Sequence, residues 1–219
     1  MGEQRGRSLS LPPRRRGDCL RNQPTAVGFV QPPSQPCATI MLRLAAGGPG
    51  GPDGRTGGRG ENRVIELSVP DFGSLALQPL VLDFNGTLAE DGALLPGVRE
   101  ALDALSHRLQ LHVVTGDTFG RARQELSGIA CELVILDAAG QAEAKARTVE
   151  RLGPRRTACI GNGRNDRLML ARAALGVAVL QKEGASAECL AAADVVCRTI
   201  VEALELLVEP LRLTATLRG

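Results

Sequence analysis

The sequence predicts an α/β fold, a doubly wound and mainly parallel sheet. Three observations carry that expectation. From residue 80 onward, apolar runs are continuous rather than alternating, as strands buried on both faces require. Between them lie segments whose apolar residues recur at i, i+3, i+4 and i+7, the period of a helix with one buried face. Polar residues cluster just after the runs, at the carboxyl edge where ligands bind in such sheets.

Taken in order, the ordered part begins at Val64. "VIELSV" and "LALQ" alternate around "PDFGS", which predicts a hairpin over 64–78. The strands that follow are "LVLDF" (80–84), "LQLHVVT" (109–115), "ELVIL" (132–136), "TACIG" (157–161) and "GVAVL" (176–180), with "DVVC" (194–197) as a sixth. Val98, Ala101, Leu102 and Leu105 define a helix between the first two. Phe119, Ala122 and Leu126 predict another, Leu168 to Leu175 with the intervening alanines a third, and Val201, Leu204 and Leu207 the last. Strands alternating with helices and joined by right-handed crossovers give a Rossmann-like sheet covered on both faces.

Residues 1–63 differ in kind. They are rich in Gly, Pro and Arg, with no helical or strand period, and cannot bury enough apolar surface to offset their ordering entropy. The expectation is a disordered tail ahead of one domain over 64–219. An over-extended reading frame, with Val64 or Met41 as the natural start, would give the same text. An RNA-binding arm would interleave aromatics, and only Phe29 is present.

The chain has 24 Arg and 2 Lys, and its net charge of +2 conceals an asymmetry. Residues 1–63 carry 10 Arg and 4 acids, whereas 64–219 carry 16 basic residues and 20 acids. A mildly acidic body argues against nucleic acid as a partner. The six cysteines form no CxxC pair, so no zinc site is indicated and a reduced, cytoplasmic setting is the expectation. No apolar run reaches the ~18–20 residues of a membrane span.

The chemistry lies at the strand ends. Asp83 ends the first core strand, Thr115-Gly116-Asp117 the second, and Gly161-Asn162-Gly163-Arg164-Asn165-Asp166 follows the fourth. Lys145 precedes Val149 and Leu152 at i+4 and i+7, which puts its ammonium on the sheet-facing side of a helix, leaning toward the same edge. A nucleophile, a hydroxyl, a cation and oxygens suited to Mg²⁺ at one crevice fit a phosphoryl group. Each residue has a plainer reading. Asp83 can close a turn, Lys145 can be a solvated helix residue, and Asp117 and Asp166 can cap helices. The four together, in order and each at a strand end, favour the site.

These motifs, "VLDFNGT", "VVTGD", "KARTVERLG" and "IGNGRNDRLML", resemble those of the haloacid dehalogenase (HAD) superfamily of aspartate-nucleophile phosphohydrolases. The resemblance covers about residues 64–210. It is narrowest to the group labelled soluble P-type ATPase-like, whose members carry "DFNGT" and "GNGxND". It implies that Asp83 takes the phosphoryl group, that Thr115 and Gly116 bind its oxygens, and that Lys145 neutralises the aspartyl-phosphate. Asn165 would orient the phosphate or Lys145. Asp83, the backbone carbonyl of Asn85, and Asp166 or the amide oxygen of Asn162 would hold Mg²⁺.

Two positions depart from the pattern. The residue two after the nucleophile is usually an aspartate that protonates the leaving group and then activates water; Asn85 does neither. Asn162 stands where a carboxylate ligand is common. Only 31 residues separate Asp83 from Thr115, too few for a P-type ATPase nucleotide domain. Neither interval between motifs has room for a cap domain. The resemblance therefore implies an uncapped HAD-like core, open to a phosphorylated small molecule or macromolecule, with a homo-oligomeric neighbour as a possible lid and the 64–78 hairpin as its contact. Slow hydrolysis of acyl, anhydride or aryl phosphates is the expected activity. A phosphotransferase or stalled aspartyl-phosphate switch, and a non-catalytic oligomeric phosphate-binding protein, stand as alternatives.

Overall fold

The computed structural model describes residues 63–219, so the expectation for the amino-terminal tail lies, Arg63 apart, outside the described residues. The predicted hairpin is present. Strands β1 (Ile65–Val69) and β2 (Gly73–Leu77) pair antiparallel, with Ile65 opposite Leu77.

The main sheet is built from β3 (Pro79–Leu82), β6 (Gln110–Thr115), β7 (Cys131–Ile135), β8 (Ala158–Gly161), β9 (Leu175–Val179) and β10 (Val195–Cys197). Between β3 and β6 lie a two-residue-strand hairpin, β4 (Ala89–Glu90) with β5 (Ala93–Leu94), and helix α1 (Val98–Ser106). The remaining connections carry α2 (Ala122–Glu125), α3 (Gln141–Leu152), α4 (Arg167–Arg172) and α5 (Ala187–Ala192), and α6 (Ile200–Val208) and α7 (Pro210–Leu217) end the chain.

Spatial order is β10-β9-β8-β3-β6-β7, and every neighbouring pair is parallel. The chain builds outward from β3 through β6 and β7, then returns to β8 on the other side of β3. That reversal creates the switch-point crevice in which open α/β sheets hold their ligands.

Side-chain alternation divides the core in two. Leu80 and Leu82 of β3, Val113 of β6, Ile160 of β8 and Val177 of β9 pack with Leu102 and Leu105 of α1, Leu204 and Leu207 of α6, and Leu213 of α7. Val81, Val114, Cys159 and Ala178 face the opposite way, against Val149 of α3, Met169 and Leu170 of α4, and Cys189 of α5. Each such buried Leu or Val stabilises the fold by about 1.5–3 kcal/mol relative to exposure. Both faces are covered, as the continuous apolar runs require.

Two helix expectations are corrected. Phe119 does not share a helical face with Ala122, because α2 begins only at Ala122; Phe119 is 48% exposed and packs on the β4–β5 turn at Gly92. Leu175 belongs to β9 rather than to the preceding helix, since the backbone turns extended at Ala173. No cap domain is present among the described residues.

Candidate active site

Asp83 follows β3 directly. Its N–H donates to the Ile160 carbonyl at 3.1 Å, so its position is pinned between the ends of β3 and β8. Neighbouring β6 ends in Thr115, which is buried. The Thr115 hydroxyl oxygen accepts from the Asp117 N–H at 2.9 Å, which leaves its proton free to donate to an incoming oxygen.

Lys145 lies on the sheet-facing side of α3 with Ala142, Ala146 and Val149, and is fully buried. Its ammonium donates to Asp83 Oδ1 at 2.5 Å and to Asp166 Oδ1 at 2.6 Å. A buried ammonium with two carboxylates is satisfied in charge and in geometry. Burial alone would lower its pKa, but the charges of Asp83 and Asp166 outweigh that and raise it. Asp83 moves up from 3.8 to about 6, chiefly through burial and then the Asp166 charge, with Lys145 pulling the other way.

Asp166 does not cap α4; its side chain turns back over the preceding 3-10 turn instead. Its Oδ2 accepts from the N–H groups of Asn162 (3.0 Å) and Gly163 (2.8 Å), so both its oxygens are engaged. This carboxylate tucks over Gly161, where an added Cβ would come within 2.5 Å of its Cγ; only glycine fits. Asp117 takes the plainer reading, its Oδ1 accepting from the N–H groups of Arg121 and Ala122 at the start of α2. Asn165 donates to the Gln141 side chain at 2.9 Å, and the Gln141 amide lies against Gly116.

The other half of the site is made of amides. The Thr87 hydroxyl lies 3.3 Å from Asp83 Oδ2 and 3.2 Å from Asn162 Oδ1, one proton serving two acceptors. Asn85 Oδ1 is buried with no hydrogen-bond partner among the described residues. Gly86, at φ +74°, brings the chain so close that an added Cβ would meet the Asn162 amide at 2.5 Å and the Glu183 carboxylate at 2.8 Å. The result is an oxygen-rich cradle with under-supplied acceptors. Its donor set of carboxylate, amide and backbone oxygens suits a hard cation such as Mg²⁺.

Sequence reasoning missed Gln181. Its backbone sits at φ +48°, unusual for a non-glycine residue. Its Nε2 donates to the carbonyls of Gly86 (3.1 Å) and Thr87, and its Oε1 accepts from the Ile200 N–H at the start of α6. It thus ties the loop after Asp83 to the start of α6, beside the β10 edge of the sheet. A partner 94 residues away leaves no mark in local sequence spacing.

The chain is 41% identical over 39 residues to the uncharacterized protein MJ0072 of Methanocaldococcus jannaschii, covering 18% of this chain and 89% of that one. It belongs to the same family as MJ0072. A second protein of that organism, the uncharacterized MJ0073, is 46% identical over 59 residues, 27% of this chain. The match spans 63% of MJ0073, less than two thirds of its length. No family model matches the chain.

Solved structures decide the fold. The 3-deoxy-D-manno-octulosonate 8-phosphate phosphatase of Moraxella catarrhalis, determined with magnesium, phosphate and KDO, superposes with a TM-score of 0.52 at 17% identity, over 61% of this chain and 86% of that one. The cobalt-bound enzyme of the same name (YrbI) from Haemophilus influenzae gives 0.51 at 17% identity, over 61% and 88%. A HAD superfamily subfamily III A hydrolase structure from Legionella pneumophila gives 0.50 at 15%, over 64% and 87%. The chain shares the fold of these phosphatases and of the HAD hydrolase. The expected α/β core is therefore present, with Asp83, Thr115 and the 161–166 loop at its strand ends and Lys145 on α3.

Proposed function

We propose that the protein is a Mg²⁺-dependent phosphohydrolase that works through an aspartyl-phosphate on Asp83. The observation that carries this reading is the buried Lys145 ammonium held by both Asp83 and Asp166 at the switch point of the sheet. An Asp83 oxygen attacks phosphorus, a new P–O bond forms, and the bond to the leaving group breaks with its electron pair going to the leaving oxygen. Lys145 offsets the charge on the acyl-phosphate. The Thr115 hydroxyl donates to a phosphoryl oxygen, and Gly116 and Asn165 line that end. Water then attacks phosphorus, returns the Asp83 carboxylate, and gives its proton to solvent.

Mg²⁺ supplies charge neutralisation of the phosphoryl oxygens. Asp83, the Asn85 carbonyl and the Asn162 amide oxygen would hold it. Asp166 is the poorer of the two candidate ligands, because both its oxygens are already bonded to Lys145 and to backbone N–H groups.

Asn85 has no titratable proton near neutral pH, so the leaving group departs unassisted. Favoured substrates are acyl phosphates, phosphoanhydrides and aryl phosphates, whose leaving groups are stable as anions. The magnesium and phosphate bound in the Moraxella phosphatase support the class of chemistry. A cleft of about 440 Å³ beside Gly86, lined in part by Ala89, Leu95 and Leu180, offers room for the leaving group.

The test is incubation with acetyl phosphate and Mg²⁺, read by intact mass and by phosphate release, for wild type and Asp83→Asn. The expected result is a gain of one phosphoryl group in wild type, absent in Asp83→Asn, with slow release. A lasting adduct without release favours the phosphorylated-switch reading, to which Asn85 also lends support. No adduct and no release in folded protein overturns both.

A further inference from the structure

With an amide at 162 and both Asp166 oxygens engaged elsewhere, the cation site has a single committed carboxylate, Asp83. The loop after β9 brings a second. We infer that Glu183 supplies the negative charge that Asn162 lacks, which makes it a residue of the cation site; this rests on the Mg²⁺-dependent reading above.

Three observations converge on Glu183. First, its Oε2 and Asn162 Oδ1 lie 2.8 Å and 2.9 Å from the same point, the place a Cβ on Gly86 would fill. Glycine at 86 keeps that space clear; the Asn162 Nδ2 borders it at 2.5 Å, and the two oxygens stand beside it. Second, the loop holding Glu183 is tied to Asn162 itself. Asn162 Nδ2 donates to the Gly184 carbonyl at 2.9 Å, and the Ser186 N–H donates to the Asn162 carbonyl at 2.9 Å. Asn162 Oδ1 in turn shares the Thr87 hydroxyl with Asp83 Oδ2. The oxygens of Asp83, Thr87 and Asn162 are thus linked, and Glu183 Oε2 lies beside Asn162 at the Gly86 end.

Third, Glu183 has no ion pair or hydrogen bond among the described residues, although cations are near in sequence and in the adjoining cleft. Lys182 is paired with Glu90, and Arg198 with Glu202. A carboxylate left over beside an oxygen-lined space matches a hard cation, whose affinity is set by the number of charged oxygen ligands. The amide at 162 would then serve two tasks that an aspartate could not combine. Its oxygen faces the cradle, and its N–H₂ fastens the Glu183 loop.

The experiment is calorimetric titration of the full chain with MgCl₂, for wild type, Glu183→Gln, Asn162→Asp and the double variant, alongside thermal unfolding in EDTA. Glu183→Gln is expected to weaken Mg²⁺ binding at least ten-fold while leaving the unfolding temperature in EDTA unchanged. Asn162→Asp restores the missing charge, so Glu183→Gln should cost much less in that background. Equal affinity in wild type and Glu183→Gln would overturn the assignment and leave the phosphohydrolase reading standing. A weaker affinity accompanied by lower stability in EDTA would also overturn it, since that marks a structural role. No Mg²⁺ binding by wild type would remove the cation site altogether, and this inference with it.

Discussion

The two halves of the site are built on opposite principles. On the Lys145 side, two carboxylates and an ammonium are buried together and satisfied, with Asp166 further held by two backbone N–H groups. On the Asn85 and Asn162 side, amides replace carboxylates, one hydroxyl proton is shared by two acceptors, and Asn85 Oδ1 has no partner among the described residues. On the proposed reading, the first half would hold and neutralise a phosphoryl group. The second is short of charge and of a transferable proton. On that reading, the site would keep its nucleophile and lack the means to turn it over quickly.

The strongest way to break this contrast is Lys145→Met. It removes the one cation between Asp83 and Asp166 and leaves two carboxylates facing each other in the core. Stripping one partner from a buried ion pair costs about 3–5 kcal/mol. Thermal unfolding at pH 8 should show a large drop, and Lys145→Met combined with Asp83→Asn should recover part of it. A single variant as stable as wild type would show that the acidic half is not electrostatically bound together.

Asp83→Asn probes the same half from the other side. The folded-state pKa of Asp83 is raised from 3.8 to about 6. The folded protein therefore binds this proton more tightly than the unfolded chain does. That contribution to stability is complete below pH 3.8 and is lost as pH rises through about 6. At 1.36 kcal/mol per pKa unit, ionising Asp83 costs the metal-free protein about 3 kcal/mol above that range. An uncharged amide escapes the cost. In EDTA at pH 8, Asp83→Asn should unfold several degrees higher than wild type, and the gap should close toward pH 4. A gap that stays constant with pH would mean that Lys145 fully offsets the buried charge.

Much of the fold was legible because a strand buried on both faces must be apolar throughout. "LVLDF" and "GVAVL" overlap β3 and β9, one residue late at the start, for that reason. The acidic half was legible too, since Asp83, Thr115, Lys145 and Asp166 each sit at a strand end or on a sheet-facing helix turn. What escaped has no local period. β4 and β5 are two residues each, too short to alternate. Phe119 reads as helical until α2 starts three residues later and leaves it on the β4–β5 turn. Gln181 bonds to Gly86 and Thr87, and Glu183 lies close to Gly86, past the intervening β8, and only the folded chain brings them there. The amide half is thus completed by residues whose role is purely tertiary.

Asn85→Asp sharpens the contrast from the deficient side. A carboxyl at position 85 can protonate a leaving oxygen and then take a proton from water, and such help is typically worth about 10²–10⁴-fold. Asn162 remains an amide in this variant, so the gain should fall at the low end. The expectation is about 100-fold on an alkyl phosphate, equivalent to about 2.7 kcal/mol of barrier. Acetyl phosphate, whose leaving group needs no proton, should gain less in formation of the adduct, so the two substrates should converge in single-turnover rate. Steady-state release and burst kinetics measured on both would separate the steps. Equal gains on both substrates would locate the improvement in hydrolysis of the aspartyl-phosphate alone. No gain on either, in a folded variant that still forms the adduct, would mean that the amide at 85 is not what limits turnover and that the shortage lies in the cation site.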